Sequence, residues 1–355
     1  MRAASLKAGT IYVKDDAPDP VPTFGTVLVQ VRACGICGSD LHFAKHGADM
    51  LALGEQMSGL PDLGGMGGGG ERPSLDLDKD VYMGHEFCAE VLEAGPDTVA
   101  PPAGTLVTSI PVLLTMSGVS PIVYSNDVAG GYGERMLLSA PMLLEVPNGL
   151  DFRHAALTEP MAVGLHAVNK SGIKPGEGAL VLGCGPVGLA VVAALHLKGI
   201  DTIVATDFSP TRRALASTMG ATEVVDPSDE PAFEAWMRAG GSKPLVCFEA
   251  IGVPGIIDSV LRDAPHSTRL VVVGVCMETD RINPFFGISK ELNVQFCLGY
   301  DPMEFAGTLR SIAEGELDVA PLITGEVDLD GVPGAFDALA HPDEHCKILV
   351  TPSPS

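Results

Sequence analysis

The chain has 355 residues, 46% of them hydrophobic and 19% charged, with a formal net charge of -23 at pH 7. That length exceeds one ordinary domain and predicts two domains with a cleft between them. A chain this acidic repels phosphate backbones and anionic lipid surfaces, and it has neither a run of about 18 apolar residues nor a basic, then apolar, leader. Nucleic acid and membranes are therefore excluded as expected partners, and a cytoplasmic protein is expected.

From residue 21 to about 147, short β-type runs such as Val27–Val31 and Cys88–Leu92 alternate with glycine and proline, which predicts a small, mainly β domain. This region holds Cys34-Gly35-Ile36-Cys37-Gly38-Ser39-Asp40-Leu41-His42 and Gly84-His85-Glu86. Between His46 and Tyr82 lies the low-complexity stretch of the chain, with glycine at 64, 65 and 67 to 70, read as a long mobile loop. From Asp151 onward, apolar strand runs alternate with helical segments: 179–182, 187–198, 202–206, 210–219, 245–249, 255–263 and 270–275. The alternation predicts a doubly wound parallel sheet, so the fold class is α/β. After Gly299 come a helical stretch, 302–314, and β-type runs at 326–329 and 347–351, read as a tail that completes the first domain.

The eight cysteines have no framework spacing and are expected to be reduced. Cysteine, histidine and carboxylate form a sensible zinc set, and Thr158-Glu159-Pro160 supplies a further carboxylate. A catalytic zinc takes three protein ligands and leaves one position open, whereas a structural site is closed by four. Cys34 and Cys37 form a CxxC pair, but no second pair follows. A thioredoxin-like role is disfavoured because the pair lies in a β-rich segment rather than opening a helix. Singly, Cys37 reads as a buried thiol, His85 as a core histidine and Glu159 as a carboxylate near a helix start; their joint occurrence beside a dinucleotide motif favours the metal. His154, His166, His196, His266, His341 and His345 have no such company and read as structural.

That motif is Gly183-Cys184-Gly185-Pro186-Val187-Gly188, which follows an apolar strand and opens a helix. Glycines there let the backbone approach a pyrophosphate, whose charge the helix N-terminus receives. The bland alternative is a tight turn with no ligand. Asp207 lies nineteen residues past Gly188, where a carboxylate accepts from the adenosine ribose and repels a 2′-phosphate. NAD is expected over NADP, although Arg212 and Arg213 soften the preference. Val275 is counted with Gly183, Gly185, Pro186, Val187, Gly188, Asp207 and Arg212 among the cofactor-binding residues.

Together these residues resemble the zinc-containing medium-chain dehydrogenases, in the branch with sorbitol, threonine and butanediol dehydrogenases. The resemblance runs along essentially the whole chain. It rests on Cys37–His42, Gly84-His85-Glu86, Glu159–Val168 and the glycine motif, which occur in the family's order. It implies a GroES-like, mainly β catalytic domain, residues 1–151 completed by 299–355, and a Rossmann-type NAD-binding domain over 152–298. It also implies Cys37 and His85 as zinc ligands, with Glu86 and Glu159 as carboxylates that ligate directly or through water. Ser39 then touches the substrate oxygen, Asp40 orients the histidine ligand, and His42 ends a proton relay.

Two departures stand out. Many relatives carry four closely spaced cysteines for a structural zinc, yet residues 89–150 contain none, so one catalytic zinc per chain is expected. Cys37 and His85 are 48 positions apart, about twice the family's usual spacing, with the excess in the glycine-rich stretch. The implied activity is hydride transfer between a secondary alcohol or polyol and NAD, with zinc as the Lewis acid. The rivals are a zinc-independent enone or quinone reductase of the same architecture and a non-catalytic dinucleotide-binding protein. Ile110–Met116 and Tyr300 are candidate linings of an apolar pocket. A homodimer or homotetramer is expected, formed partly through the strand near Leu270–Val275.

Overall fold

The strand Thr26–Gly35 buries every second side chain, with Val27, Val29, Val31 and Ala33 all at 0% exposure, the period-2 pattern of a sheet with one face on a core. In the computed structural model, which describes residues 1–57, 75–115, 118–341 and 343–352, this strand is the hub of a seven-stranded sheet. It pairs antiparallel with Glu86–Ala94, with Arg135–Ser139 and, at Cys34 and Gly35, with Lys347–Val350. The sheet belongs to a first compact unit formed by 1–159, 323–340 and 347–355. Its core includes Phe43, Phe87, Tyr132, Met136, Phe336 and Ile348.

The second unit comprises 160–322 and 341–346. Its six-stranded sheet is parallel throughout, in the order Glu223–Val225, Ile203–Thr206, Gly178–Leu182, Leu245–Glu249, Arg269–Val272, Asn293–Phe296. Gly178–Leu182 and Leu245–Glu249 are buried at every position, as strands covered on both faces must be. Among the described residues, no helix is long and apolar enough to cross a membrane.

Several expectations change. The CxxC pair does open a helix: Gly38–Met57 starts directly after Cys37, so residues 46–57 are helical rather than loop, with non-helical dihedrals at His46 alone. The glycine run at 64–70 lies outside the described residues. The division of the chain also moves. Phe152–Ala156 packs with the first unit, where Arg32 stacks on the Phe152 ring at 5.3 Å and Arg153 pairs with Glu326. Residues 299–322 pack with the second, because the helix Pro302–Ala313 buries Phe305, Leu309 and Ile312 and ties Glu304 to His166 at 2.6 Å.

The strand near Leu270–Val275 is interior, hydrogen-bonded on both sides, and the sheet's edge is Asn293–Phe296. Ile110 and Leu113 are buried, Leu113 within the first unit's core, and Val112–Thr115 pairs with Gly118–Pro121 in a two-stranded ribbon. Met116 lies outside the described residues. Tyr300 is buried against Phe305, ring centroids 5.3 Å apart, and so packs in the second unit.

Candidate metal centre and dinucleotide site

Cys37 leaves the end of the strand Thr26–Gly35, while His85 and Glu86 open the strand Glu86–Ala94 beside it. The pairing of Gly35 with Glu86 brings the two segments together. Only glycine fits at 35: a Cβ there would stand 2.0 Å from Glu86 Oε2. One ligand atom each from Cys37, His85 and Glu86 lies within 4.8 Å of the others. A thiol, an imidazole and a carboxylate at that spacing fit zinc.

The surroundings of His85 fit a metal as well. Its Nδ1 lies 3.6 Å from Asp40 Oδ1, and both buried atoms lack a hydrogen bond among the described residues. Asp40 is itself fixed through Oδ2, which accepts from the Cys37 amide at 3.1 Å and the Tyr132 hydroxyl at 2.6 Å. Burial pushes the Asp40 carboxyl up, whereas at His85 the charge of Asp40, with Cys37 and Glu159, outweighs burial and raises the ring's pKa well above its usual value. A carboxylate behind the imidazole sets ring orientation and basicity, the arrangement that commonly backs a metal-binding histidine.

Glu86 is fully buried, and both its oxygens accept from Lys347 Nζ at 2.7 Å. Lys347, 2% exposed, donates also to the Ile36 carbonyl. Sequence reasoning did not single out Lys347 or Tyr132. A charged residue opening the apolar run Lys347–Val350 was the available signal, but nothing local to it names its partner. Glu159, half-buried in the first turn of Thr158–Ser171, lies outside the three-residue group, and its charge is felt at His85. Ser39 and His42 sit on the helix Gly38–Met57 at i, i+3, hence on neighbouring parts of one face. Partial loss of hydration, then the charges of His46 and Lys45, lower the pKa of His42, so the ring is neutral near pH 7.

In the second unit, the buried strand Gly178–Leu182 ends at Gly183, and the helix Pro186–Leu197 begins after Gly185 with proline at its first turn. Gly183 has φ +89, and a Cβ on Gly188 would meet the Gly183 carbonyl at 1.9 Å, so neither position takes a side chain. Pro186 and Val187 lie in the first turn of the helix. Asp207 follows Ile203–Thr206, and its carboxylate accepts from the amides of Cys184 and Ser209, each at 2.8 Å. The carboxylate thus sits at the turn that carries Gly183 and Gly185. Arg213 is committed to the Asp207 and Phe208 carbonyls and to Asp226. Arg212 has a buried Nε without a hydrogen bond among the described residues, and its Nη1 stands 4.0 Å from the Cβ position of Gly185. Val275 is 49% exposed, with its backbone against Gly252.

Residues 24–148 match the model of the alcohol dehydrogenase GroES-like domain, and residues 186–314 match that of the zinc-binding dehydrogenases. The (R,R)-butanediol dehydrogenase of Bacillus subtilis strain 168 is 31% identical over 346 residues, covering 94% of this chain and 95% of that protein. The chain belongs to the zinc-containing medium-chain alcohol and polyol dehydrogenases. These medium-chain dehydrogenases include a crystal structure of 2R,3R-butanediol dehydrogenase from Bacillus subtilis that is similar with a TM-score of 0.80 at 30% identity, covering 99% of both chains. A protein from Sinorhizobium meliloti 1021, bound to NADP, is similar with a TM-score of 0.78 at 29% identity, again covering 99% of both chains. The α/β architecture, a GroES-like unit with a Rossmann-type parallel sheet, is as the resemblance implied. As a member of this family the chain is a zinc-dependent oxidoreductase of CH–OH groups, and the enone-reductase and non-catalytic readings are not favoured.

Proposed function

We propose that this dehydrogenase oxidises a small secondary alcohol or diol with NAD, using one zinc per chain held by Cys37, His85 and Glu159. Glu86 is the second carboxylate within reach. The observation that carries the reading is the approach of the Cys37 and His85 donors, together with Glu86, to within 4.8 Å, with the charge of Glu159 felt at His85. Because Lys347 occupies both oxygens of Glu86, Glu159 is the carboxylate assigned to the metal at rest. Zinc, when bound, lowers the pKa of the substrate hydroxyl, and the nicotinamide accepts the hydride. Asp40 holds the His85 ring in place, and Lys347 offsets the charge of Glu86. Ser39 receives the hydroxyl proton and His42, neutral near pH 7 and open to solvent, takes it onward.

Elemental analysis of untreated protein, paired with NAD reduction on a panel of alcohols, tests the reading. About one zinc per chain and turnover abolished by chelator are expected. Turnover by metal-free protein would overturn it. The same preparation is expected to sediment as a dimer or a larger assembly. Support for that comes from the edge strand Asn293–Phe296, unpaired on its outer side among the described residues, where Val294, Phe296 and nearby Leu298 are 41%, 67% and 79% exposed. An unpaired apolar edge of that kind is stable against a second copy and a liability without one.

For the cofactor, Asp207 supports NAD, since a ribose hydroxyl can donate to its carboxylate where a 2′-phosphate meets repulsion. Arg212, whose Nη1 stands beside Gly185, would favour the phosphate once that carboxylate is gone. The substitution Asp207→Gly is expected to raise the KM for NAD roughly tenfold, the size of a charge-assisted hydrogen bond, and to lower that for NADP. Initial rates with both cofactors check it. Unchanged preference would remove Asp207 from the ribose.

A further inference from the structure

Glu249 ends the strand Leu245–Glu249 with a carboxylate that is 2% exposed. Burying a charge is costly unless hydrogen bonds or an opposite charge meet it. Here backbone meets it: Oε1 accepts from the amides of Ile251 and Gly252, each at 2.7 Å, and among the described residues no cation pairs with it. Amide bonds to an ionised oxygen are roughly twice as strong as neutral ones, so both amides are held firmly. The rest of the strand packs through apolar Val246, Cys247 and Phe248 and has no need of a charge.

The main chain of the same residue holds a second loop. The Glu249 carbonyl accepts from Val273 at 2.8 Å and from Gly274 at 2.9 Å. The two loops are pressed together: a Cβ on Gly252, which has φ +73, would stand 2.7 Å from the Val275 carbonyl oxygen, and one on Gly274 would stand 2.8 Å from Glu249 Oε2. On the other flank a Cβ on Gly183 would meet Ile251 Cγ1 at 2.8 Å, so the clamped loops adjoin the glycine motif.

The strand order says which part of a dinucleotide lies here. It reverses between Gly178–Leu182 and Leu245–Glu249, with Ile203–Thr206 on one side and Arg269–Val272 on the other. A dinucleotide lies across such a reversal with one half on each side. Asp207, after Ile203–Thr206, takes the adenosine half, which leaves the loops 250–252 and 273–275 to the nicotinamide half. We propose that Glu249 is a positioning residue that preforms this wall for the nicotinamide half, acting through the amides it holds. A wall ordered in advance spares the cofactor the cost of ordering it. The inference rests on the dinucleotide reading of Gly183–Gly188 and Asp207, and not on the metal centre.

The test compares NADH with ADP-ribose, which has the adenosine half and the pyrophosphate but no nicotinamide. In calorimetric titrations of the intact protein, Glu249→Ala is expected to raise the Kd for NADH roughly tenfold, because two amides lose a charged acceptor, and to leave that for ADP-ribose within about twofold. Glu249→Gln keeps an acceptor of the same size without the charge. It is expected to lose about threefold on NADH and nothing on ADP-ribose, and it decides the matter if the alanine variant does not fold. Equal losses on both ligands, as a general loosening of the unit would give, or no loss on either, would overturn the assignment of Glu249. An unmodified chain that binds neither ligand would instead overturn the dinucleotide reading on which the inference stands.

Discussion

Replacing Cys37 by alanine is expected to strip the protein of zinc and to cut alcohol turnover by more than about a hundredfold, the loss that even an outer partner of a ligand can cause. The fold should survive. Cys37 holds Asp40 through its backbone amide, which alanine keeps, and the adjoining strand is anchored by Val27, Val29 and Val31. Far-ultraviolet circular dichroism should therefore be unchanged, and NADH binding retained, since the dinucleotide loop belongs to the other unit. Elemental analysis and NAD reduction on the same sample decide the matter. Normal turnover in a zinc-free variant would remove Cys37 from the chemistry.

The largest expected change in stability is at Lys347. In Lys347→Met the fully buried carboxylate of Glu86 loses its counterion, and breaking a buried pair in this way costs about 3 to 5 kcal/mol. The Ile36 carbonyl loses a donor as well. Denaturant titration should show the full drop in the single variant and a large recovery in Lys347→Met/Glu86→Gln, where no charge is left stranded. If the single and double variants were equally unstable, the cost would lie in packing rather than in the ion pair. A second readout is zinc content, because a carboxylate released from Lys347 is free to compete with Glu159 for the metal.

What was legible in the sequence follows the range of the forces involved. Local rules carried the parallel sheet: Gly178–Leu182 and Leu245–Glu249 are uniformly apolar because both faces are covered, and the glycine motif opens a helix because its backbone turns where no side chain fits. The approach of Cys37 to His85 and Glu86 was expected from residue chemistry and the resemblance, and the structure brings all three together. Helix Gly38–Met57 was missed from its start onward, since glycines at 47 and 54 and a weak apolar stripe hide it among loop-like residues. The assignment of 299–322 was missed because Phe305, Leu309 and Ile312 say that a helix is buried but not against which unit. Tyr132 with Asp40 and Lys347 with Glu86 are separated by 92 and 261 residues, and a pairing that distant leaves no trace in spacing.

The buried pair of Glu86 and Lys347 also bears on how the protein is made. Lys347 leaves the ribosome 261 residues after Glu86, a delay of roughly 15 to 50 s at ordinary rates of synthesis. Throughout that interval Cys37, His85 and Glu86 are already outside, while the cation and the strand that close over them are still being translated. A nascent chain therefore offers an unfinished site, its Glu86 carboxylate still without a counterion, to any passing metal. The three donors reach their final arrangement only once that last strand has docked and Lys347 meets Glu86.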